Sequence, residues 1–147
     1  MGLPVKIRKG ASEPPTPGSP DLFTGTVRID YLHKPAAPSR VQVQHVGFEP
    51  GARTVWHTHP LGQVLIVIDG LGWVQSEGGP VEEMGPGDVI SIAPGEKHWH
   101  GASPGSGVTF LAIQEELDGQ VVQAMERVSD SEYKKSGTSQ GPGSAGR

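Results

Sequence analysis

Apolar and polar residues alternate with a period of two along much of this chain, which is typical of β-strands with one buried face. The alternation is clearest over residues 24–32 and 40–48. Further short apolar runs are bounded by glycine or proline, which predicts one strand for each of them. These runs are residues 63–68, 72–75, 81–84, 89–92, 98–102 and 108–114. Many short strands with turn residues between them predict an all-β sandwich or barrel.

The two ends of the chain carry a different pattern, rich in glycine, proline and serine, which cannot bury enough apolar surface to fold. We therefore expect a flexible lead-in over residues 1–20, one folded domain over 21–135 and a disordered tail over 136–147. One short helix is predicted at the end of the domain, because the run from Ser129 to Glu132 has the spacing of a capping box.

The run from Gln63 to Ile68 is apolar on both faces, whereas a strand buried on one side alternates. Its outer face therefore needs cover as well as its inner face. Two sources of cover are open, namely residues 24–32 of the same chain and a partner subunit. We expect a homo-oligomer, a dimer or tetramer, and keep the cover within one chain as the alternative.

Composition and charge exclude several classes of function. The chain has 147 residues, enough for one core, and a formal net charge of −4 with no basic stripe that would bind nucleic acid. No apolar segment has the length of a membrane span or the form of a signal peptide, so we expect a cytoplasmic protein. The absence of cysteine excludes disulfides, thiolate ligands and cysteine nucleophiles. Any metal must therefore be held by nitrogen and oxygen.

Histidines are the candidate ligands, and four of the six form two H-x-H pairs. The pairs are His57-Thr-His59 and His98-Trp-His100. Residues i and i+2 of a strand point to the same face, so each pair presents two imidazoles on one side of a sheet. Imidazole nitrogen is a common ligand of divalent transition metals. One pair alone fits ordinary surface or core histidines equally well.

The wider spacing narrows this choice. Residues 51–70 have the form G-x5-H-x-H-x3-Q-x6-G, and residues 87–98 have the form G-D-x5-P-G-x2-H. With these two motifs the chain resembles the cupin family, whose first motif carries glutamate at the place of Gln63. The resemblance implies a cupin jelly-roll barrel, a double-stranded β-helix, with one divalent metal ion. The metal ligands it implies are His57, His59, Gln63 and His98.

The glutamine changes the expected charge of such a site. Three neutral imidazoles and one neutral amide oxygen leave the site nearer +2, whereas a carboxylate ligand leaves it nearer +1. The cation is then a stronger Lewis acid, and a higher oxidation state of iron or manganese is less well stabilised. Gln63 therefore favours polarisation of a substrate over oxidation chemistry.

His100 shares the inward face with His98, and an imidazole beside a metal suits a proton shuttle. We predict His100 as the catalytic acid–base residue, and the alternative is a histidine that only forms hydrogen bonds near the metal. The inward faces of the early and late strands predict a substrate pocket. Its predicted residues are Gln44, Val46, Leu65, Phe110 and Gln114.

Four residues near the motifs are interpreted as structural. Trp56 and Trp99 alternate out of register with the histidines, which predicts that they pack on the outer face of their sheet. Arg53 and Glu96 fall next to predicted turns, so we expect turn or surface charges there.

A narrower resemblance covers residues 22–135. The runs Trp56 to Gln63 and Pro94 to Ala102 are similar to those of the bacterial cupin-type hydroxynitrile lyases. That resemblance implies manganese as the most favoured metal, with iron, nickel and zinc as alternatives, and cleavage of (R)-mandelonitrile to benzaldehyde and hydrogen cyanide. The lyases carry a histidine on the inward face of the last strand, where this chain has Phe110.

Three functions follow as hypotheses. The first is a metal-dependent, non-redox lyase acting on a small hydroxy or carbonyl compound, with cyanohydrin cleavage as its most specific form. The second is a non-catalytic cupin that binds a metal or small ligand, which Phe110 keeps open. The third is a cupin dioxygenase, against which Gln63 counts. In each case the partner is a small molecule, not nucleic acid or membrane.

Overall fold

The computed structural model describes residues 4–10 and 13–136. Short strands dominate these ranges, and one helix, α1, spans residues 130–136. The strands are β1 Thr16–Pro17, β2 Phe23–Thr24, β3 Val27–His33, β4 Val41–Phe48, β5 Arg53–Thr54, β6 His57–Thr58, β7 Gln63–Gly70, β8 Gly72–Ser76, β9 Val81–Met84, β10 Val89–Ile92, β11 His98–Ala102, β12 Val108–Glu115 and β13 Gln123–Ala124. The all-β prediction with a short C-terminal helix is confirmed.

The strands form two curled antiparallel sheets. The larger sheet has the order β1-β3-β4-β12-β7-β10. Its central strand β12 pairs along its length with both β4 and β7. The second sheet has the order β13-β6-β11-β5-β2, with β8 paired to β11 and β9 paired to β8. The inner faces of both sheets contribute to one hydrophobic core, which includes Leu65, Phe110 and Ala102.

A second hydrophobic cluster lies on the opposite face of the second sheet. It consists of Trp56, Trp73, Val81, Trp99, Val128 and Tyr133, so the C-terminal segment covers this face. Trp99 is fully buried there, which confirms that Trp56 and Trp99 pack on the outer face. The first turn of α1 is capped by Ser129, whose Oγ accepts a hydrogen bond from the Glu132 N–H at 3.1 Å.

Arg53 anchors that segment, and the prediction of a surface charge at this position is wrong. Its side chain is only 4% exposed. The guanidinium donates two hydrogen bonds to the Val128 carbonyl, at 3.1 and 2.7 Å, and one to Asp130 at 2.7 Å. It also lies over the Tyr133 ring at 4.6 Å. Because a buried guanidinium needs acceptors, the C-terminal segment is held at this position. Glu96, by contrast, accepts the Ala93 N–H within a turn, as expected.

Part of the expected lead-in contacts the folded domain. Within the expected lead-in, β1 pairs with Arg28 and Ile29 of β3, and Arg8 forms an ion pair with Asp30 at 2.6 Å. These contacts tie part of residues 1–20 to the edge of the larger sheet. The expected tail lies outside the described residues, apart from Ser136 at the end of α1.

The outer face of β7 is not covered by residues 24–32. These residues form β3, which pairs with β4 in the same sheet and therefore extends that sheet sideways. Cover within one chain by this segment is thus excluded, because a strand cannot cover the sheet to which it belongs. Ile68 remains 46% exposed on this face. Within residues 4–10 and 13–136, no helix is long and apolar enough to cross a membrane.

Candidate metal centre and cavity

Three strands and one turn bring the predicted ligands together between the two sheets. His57 on β6 and His98 on β11 are directly opposite each other in the antiparallel pair, and their ring centroids are 4.1 Å apart. His59 follows in the turn after β6, with its ring 4.9 Å from that of His57 and 5.5 Å from that of His98. Gln63 begins β7 in the larger sheet. The two sheets therefore supply ligands from both sides of one point.

Backbone carbonyl groups orient three of these imidazoles in the same way. Nδ1 of His57 lies 2.8 Å from the Val55 oxygen, Nδ1 of His59 lies 2.6 Å from the Val121 oxygen, and Nδ1 of His98 lies 3.0 Å from the Glu96 oxygen. A carbonyl oxygen can only accept, so each Nδ1 carries the proton and each Nε2 is left with a free lone pair. This arrangement is the one in which metal-binding histidines are usually held.

Several buried polar atoms at this position have no hydrogen-bond partner, which indicates whether a cation fits there. Among the described residues, His59 Nε2, Gln63 Oε1 and His98 Nε2 are buried and form no hydrogen bond. Buried polar atoms are satisfied in the great majority of cases, so three such acceptors at one place require an explanation. A divalent cation satisfies all three, because each atom offers a lone pair. The residues present therefore fit a metal ion.

His100 lies close enough to the predicted ligands to bind the same ion, but its ring is not oriented by a backbone carbonyl group as theirs are. Among the described histidines and carboxylates, the ligand atoms of His57, His98 and His100 lie within 4.8 Å of one another. This trio shares two members with the predicted ligand set but has His100 in place of His59. Nδ1 of His100 is buried and has no partner, so no carbonyl group fixes its tautomer.

Aromatic rings position His100 instead. Its ring contacts those of Phe48 and Phe110, with centroids 6.0 and 5.3 Å away. It also stacks almost parallel to His98, at an interplanar angle of 16°. The backbone N–H of His100 donates to Thr54 Oγ1 at 3.1 Å, which fixes the strand but leaves both ring nitrogens unassigned.

Burial keeps the four imidazoles neutral. It lowers the pKa of His57 and His100 well below the ordinary value of 6.5, and the neighbouring imidazoles lower both further. Burial also lowers the pKa of His59 to about 4, and it lowers the pKa of His98. A neutral imidazole is the form that binds a metal or accepts a proton, so the site is prepared for either task near neutral pH.

A cavity of about 90 Å³ opens beside these residues. Four of the predicted pocket residues line it, namely Gln44, Val46, Phe110 and Gln114. Leu65 does not line the cavity, and its side chain is fully buried in the main hydrophobic core. Residues that the sequence analysis missed complete the wall, including Phe23, Tyr31, Gln42, Phe48, Val121 and Val122. Gln42 was detectable, because it alternates in register with Gln44 and Val46.

Three glutamines form a hydrogen-bonded row along the inner face of the larger sheet. Nε2 of Gln63 donates to Oε1 of Gln114 at 3.0 Å, and Nε2 of Gln114 donates to Oε1 of Gln42 at 2.7 Å. The three residues lie in cross-strand register on β7, β12 and β4. Gln63 therefore points its amide nitrogen away from the histidines and its oxygen toward them.

Comparison with known proteins places the chain among proteins of this architecture. A family model described as a cupin domain matches residues 44–113. The chain is 56% identical over 131 residues to an (R)-mandelonitrile lyase from Granulicella tundricola, and the match covers 89% of this chain and 100% of the lyase.

Solved structures agree with this assignment. A cupin-like protein from Thermotoga maritima superposes with a TM-score of 0.80 at 38% identity, covering 87% of this chain and 97% of that one. A polyketide cyclase from Streptomyces resistomycificus has a TM-score of 0.64 at 21% identity, covering 95% of both chains, and it supports the fold alone. The jelly-roll prediction is thereby confirmed.

Proposed function

Because the chain belongs to the cupin family, we propose that it is a metal-dependent lyase that cleaves a cyanohydrin to an aldehyde and hydrogen cyanide. The name of its relative from Granulicella tundricola, at 56% identity, supports (R)-mandelonitrile as the substrate to test first. The observation that carries the metal dependence is the group of three unpartnered acceptors, His59 Nε2, Gln63 Oε1 and His98 Nε2.

The metal ligands are His57, His59, Gln63 and His98. We prefer His59 to His100 as the third imidazole, because a backbone carbonyl group holds His59 in the tautomer that a ligand needs. A divalent ion at this position, for which we propose manganese, supplies Lewis-acid polarisation of the substrate oxygen. Metal analysis of the purified protein by mass spectrometry tests the identity of the ion.

His100 is the acid–base residue of the proposal. Its neutral imidazole lines the cavity and accepts the proton of the cyanohydrin hydroxyl group. The O–H electron pair forms the carbonyl bond as the bond between carbon and cyanide breaks, and cyanide leaves with the electron pair of that broken carbon–carbon bond. The proton then passes from His100 to cyanide, so hydrogen cyanide and the aldehyde are the only products.

Aromatic side chains suit an aryl substrate at this place. Phe23 and Phe48 meet edge to face at 5.7 Å, and Phe48 stacks on Phe110 at 5.3 Å. All three rings line the cavity, together with Tyr31. They exclude water and offer the apolar contacts that a phenyl group prefers.

The test is the release of benzaldehyde and cyanide from racemic mandelonitrile by protein loaded with manganese. The wild-type protein is expected to cleave the (R)-enantiomer and to leave the (S)-enantiomer intact. The His57→Ala variant removes a ligand, and His33→Ala serves as a matched control because His33 is exposed on β3. A wild-type rate no higher than that of His57→Ala would refute the lyase.

Phe110 favours one rival, a cupin that binds a small ligand without converting it. This position faces the cavity, and phenylalanine can neither transfer a proton nor bond to cyanide. The rival predicts that benzaldehyde or mandelonitrile raises the melting temperature while no cyanide is released. Turnover by the manganese-loaded protein excludes it.

We also propose that a second copy of the chain covers the outer face of the larger sheet. On β7, β10 and β12 this face carries an apolar patch of Val64, Ile66, Ile68, Val89, Leu111 and Ile113, whose neighbours along each strand point into the core. Val89 is 61% exposed and Ile68 is 46% exposed. An exposed apolar patch on a sheet suits a two-fold contact, in which the patch packs against its own copy.

Light scattering after size-exclusion chromatography tests this contact. The wild-type protein is expected at a multiple of the mass of one chain, and Ile66→Lys is expected to shift it toward one chain. Glu82→Lys, on the exposed side of β9, is the matched control and leaves the mass unchanged. A wild-type protein that runs as one chain would rule the contact out.

A further inference from the structure

The row of three glutamines carries an inference about how the amide of Gln63 is oriented. A glutamine side chain has one end that accepts hydrogen bonds and one end that donates them, and the two ends have almost the same shape. Only the oxygen end can bind a cation. A lone glutamine beside three imidazoles would be free to present either end, so a metal site built on it needs a further restraint.

Gln114 supplies that restraint through its own oxygen. Its Oε1 accepts the Gln63 amide at 3.0 Å, so a rotated Gln63 would bring two oxygen atoms face to face at this distance. Gln114 is itself only 4% exposed, and its nitrogen is held by Oε1 of Gln42 at 2.7 Å. Gln63 therefore cannot rotate alone, because the whole row would have to reverse with it.

The same row explains why Gln63 Oε1 has no partner. The amide nitrogen of Gln63 is used by Gln114, and the oxygen is left buried and unpartnered on the side of the histidines. A buried amide oxygen without a partner is unfavourable, and a cation at the site removes that cost. The direction in which the row donates its hydrogen bonds therefore places the Gln63 oxygen beside the unpartnered histidine nitrogens.

We propose that Gln114, supported by Gln42, is a positioning residue that holds the Gln63 carbonyl oxygen toward the metal site. This inference rests on the proposed function, because it takes Gln63 as a metal ligand. Gln114 acts through Gln63 and does not itself bind the ion. It also lines the cavity, so its effect on metal binding must be separated from its contact with substrate.

Two substitutions at one position separate hydrogen bonding from packing. Gln114→Leu keeps a similar volume but removes the acceptor for Gln63, and we expect a loss of about 10- to 100-fold in manganese affinity. Gln114→Glu keeps an acceptor for the Gln63 amide, and we expect an affinity close to that of the wild type. Gln42→Leu, one step further along the row, is expected to lose less than Gln114→Leu. Gln120→Leu, on an exposed turn, is the matched control.

Manganese affinity is measured from the electron paramagnetic resonance signal of the free ion, which needs no substrate. Melting curves verify that each variant folds. Equal affinities for wild type and Gln114→Leu, with affinity lost in Gln63→Leu, would overturn the positioning role while the metal site stands. A lower manganese affinity of Gln114→Leu than of Gln114→Glu supports the positioning role.

A second measurement uses the metal-free protein, so that failure of the metal site and failure of the row are distinguishable. Nuclear magnetic resonance of ¹⁵N-labelled side chains detects whether the Gln63 amide protons are protected from exchange. Protection in the wild type that is lost in Gln114→Leu supports the row even if no manganese binds. Rapid exchange of the Gln63 amide in the wild type would overturn it.

Discussion

The site holds its histidines by two different means. His57, His59 and His98 are oriented by backbone carbonyl groups through Nδ1. His100, by contrast, is held by the rings of Phe48 and Phe110 and has no partner for Nδ1. A fixed tautomer suits a ligand, which must always offer the same lone pair. A histidine held by packing alone can gain and lose a proton at either nitrogen, which suits acid–base work.

The largest effect that this contrast predicts is on turnover by His100→Ala. Removal of a general acid–base group typically costs about 10²- to 10⁴-fold in rate, and we expect kcat for mandelonitrile to fall by this range. Manganese affinity should stay close to that of the wild type, because His100 is not a ligand in our proposal. The rate is followed by benzaldehyde absorbance.

The variant His100→Gln controls for the loss of the ring. It keeps a polar side chain but cannot shuttle a proton, so its kcat should be as low as that of His100→Ala. Unchanged turnover in both variants would show that His100 only fills space between the phenylalanines.

The next effect in size concerns the affinity for manganese. We expect His59→Ala to lower the manganese affinity by more than about 100-fold. Removal of a residue that only forms a hydrogen bond to a metal ligand costs less than this. His100→Ala should lose little. The opposite ranking would contradict the contrast and would assign the ion to the compact trio of His57, His98 and His100. Isothermal titration with the metal-free variants measures both values.

The smallest effect is on the pH dependence of stability in the metal-free protein. The pKa of His59 is lowered to about 4 in the fold, so the unfolded chain binds its proton first as the pH falls below 6.5. The free energy of unfolding should therefore fall by about 1.4 kcal/mol per pH unit for each such histidine between pH 6.5 and 4. Urea titrations at several pH values measure this slope.

The variant His59→Gln should show a shallower slope than the wild type over the same pH range. A slope that does not change in His59→Gln would mean that other groups dominate acid unfolding.

The long strands were predictable and the two-residue strands were not. The alternation over residues 40–48 and 108–114 matches β4 and β12 to within one residue. The strands β1, β2, β5, β6 and β13 have two residues each, too few to show a period. They form because partners elsewhere in the chain pair with them. His57 and His98, for example, become neighbours only in the folded sheet.

The candidate site was predictable as far as residue types and strand faces determine it. Both H-x-H pairs were chosen from spacing and Gln63 from the resemblance to the cupin motif, and the structure brings them together. The placement of Leu65 in the core depends on its depth along the barrel, which alternation does not encode. The burial of Arg53 depends on the Val128 carbonyl, 75 residues away along the chain, so no local pattern indicates it.

The contacts of Arg53 with the C-terminal segment determine how proteolytic cleavage of that segment affects the fold. Arg53 lies on β5, whose antiparallel partner β11 carries His98 and His100. Proteolysis ahead of Val128 would remove two of the acceptors of its guanidinium, the Val128 carbonyl and Asp130, and would uncover a layer of three tryptophans. The damage would then spread through β11 to two of the histidines, although the cut is far from them in sequence.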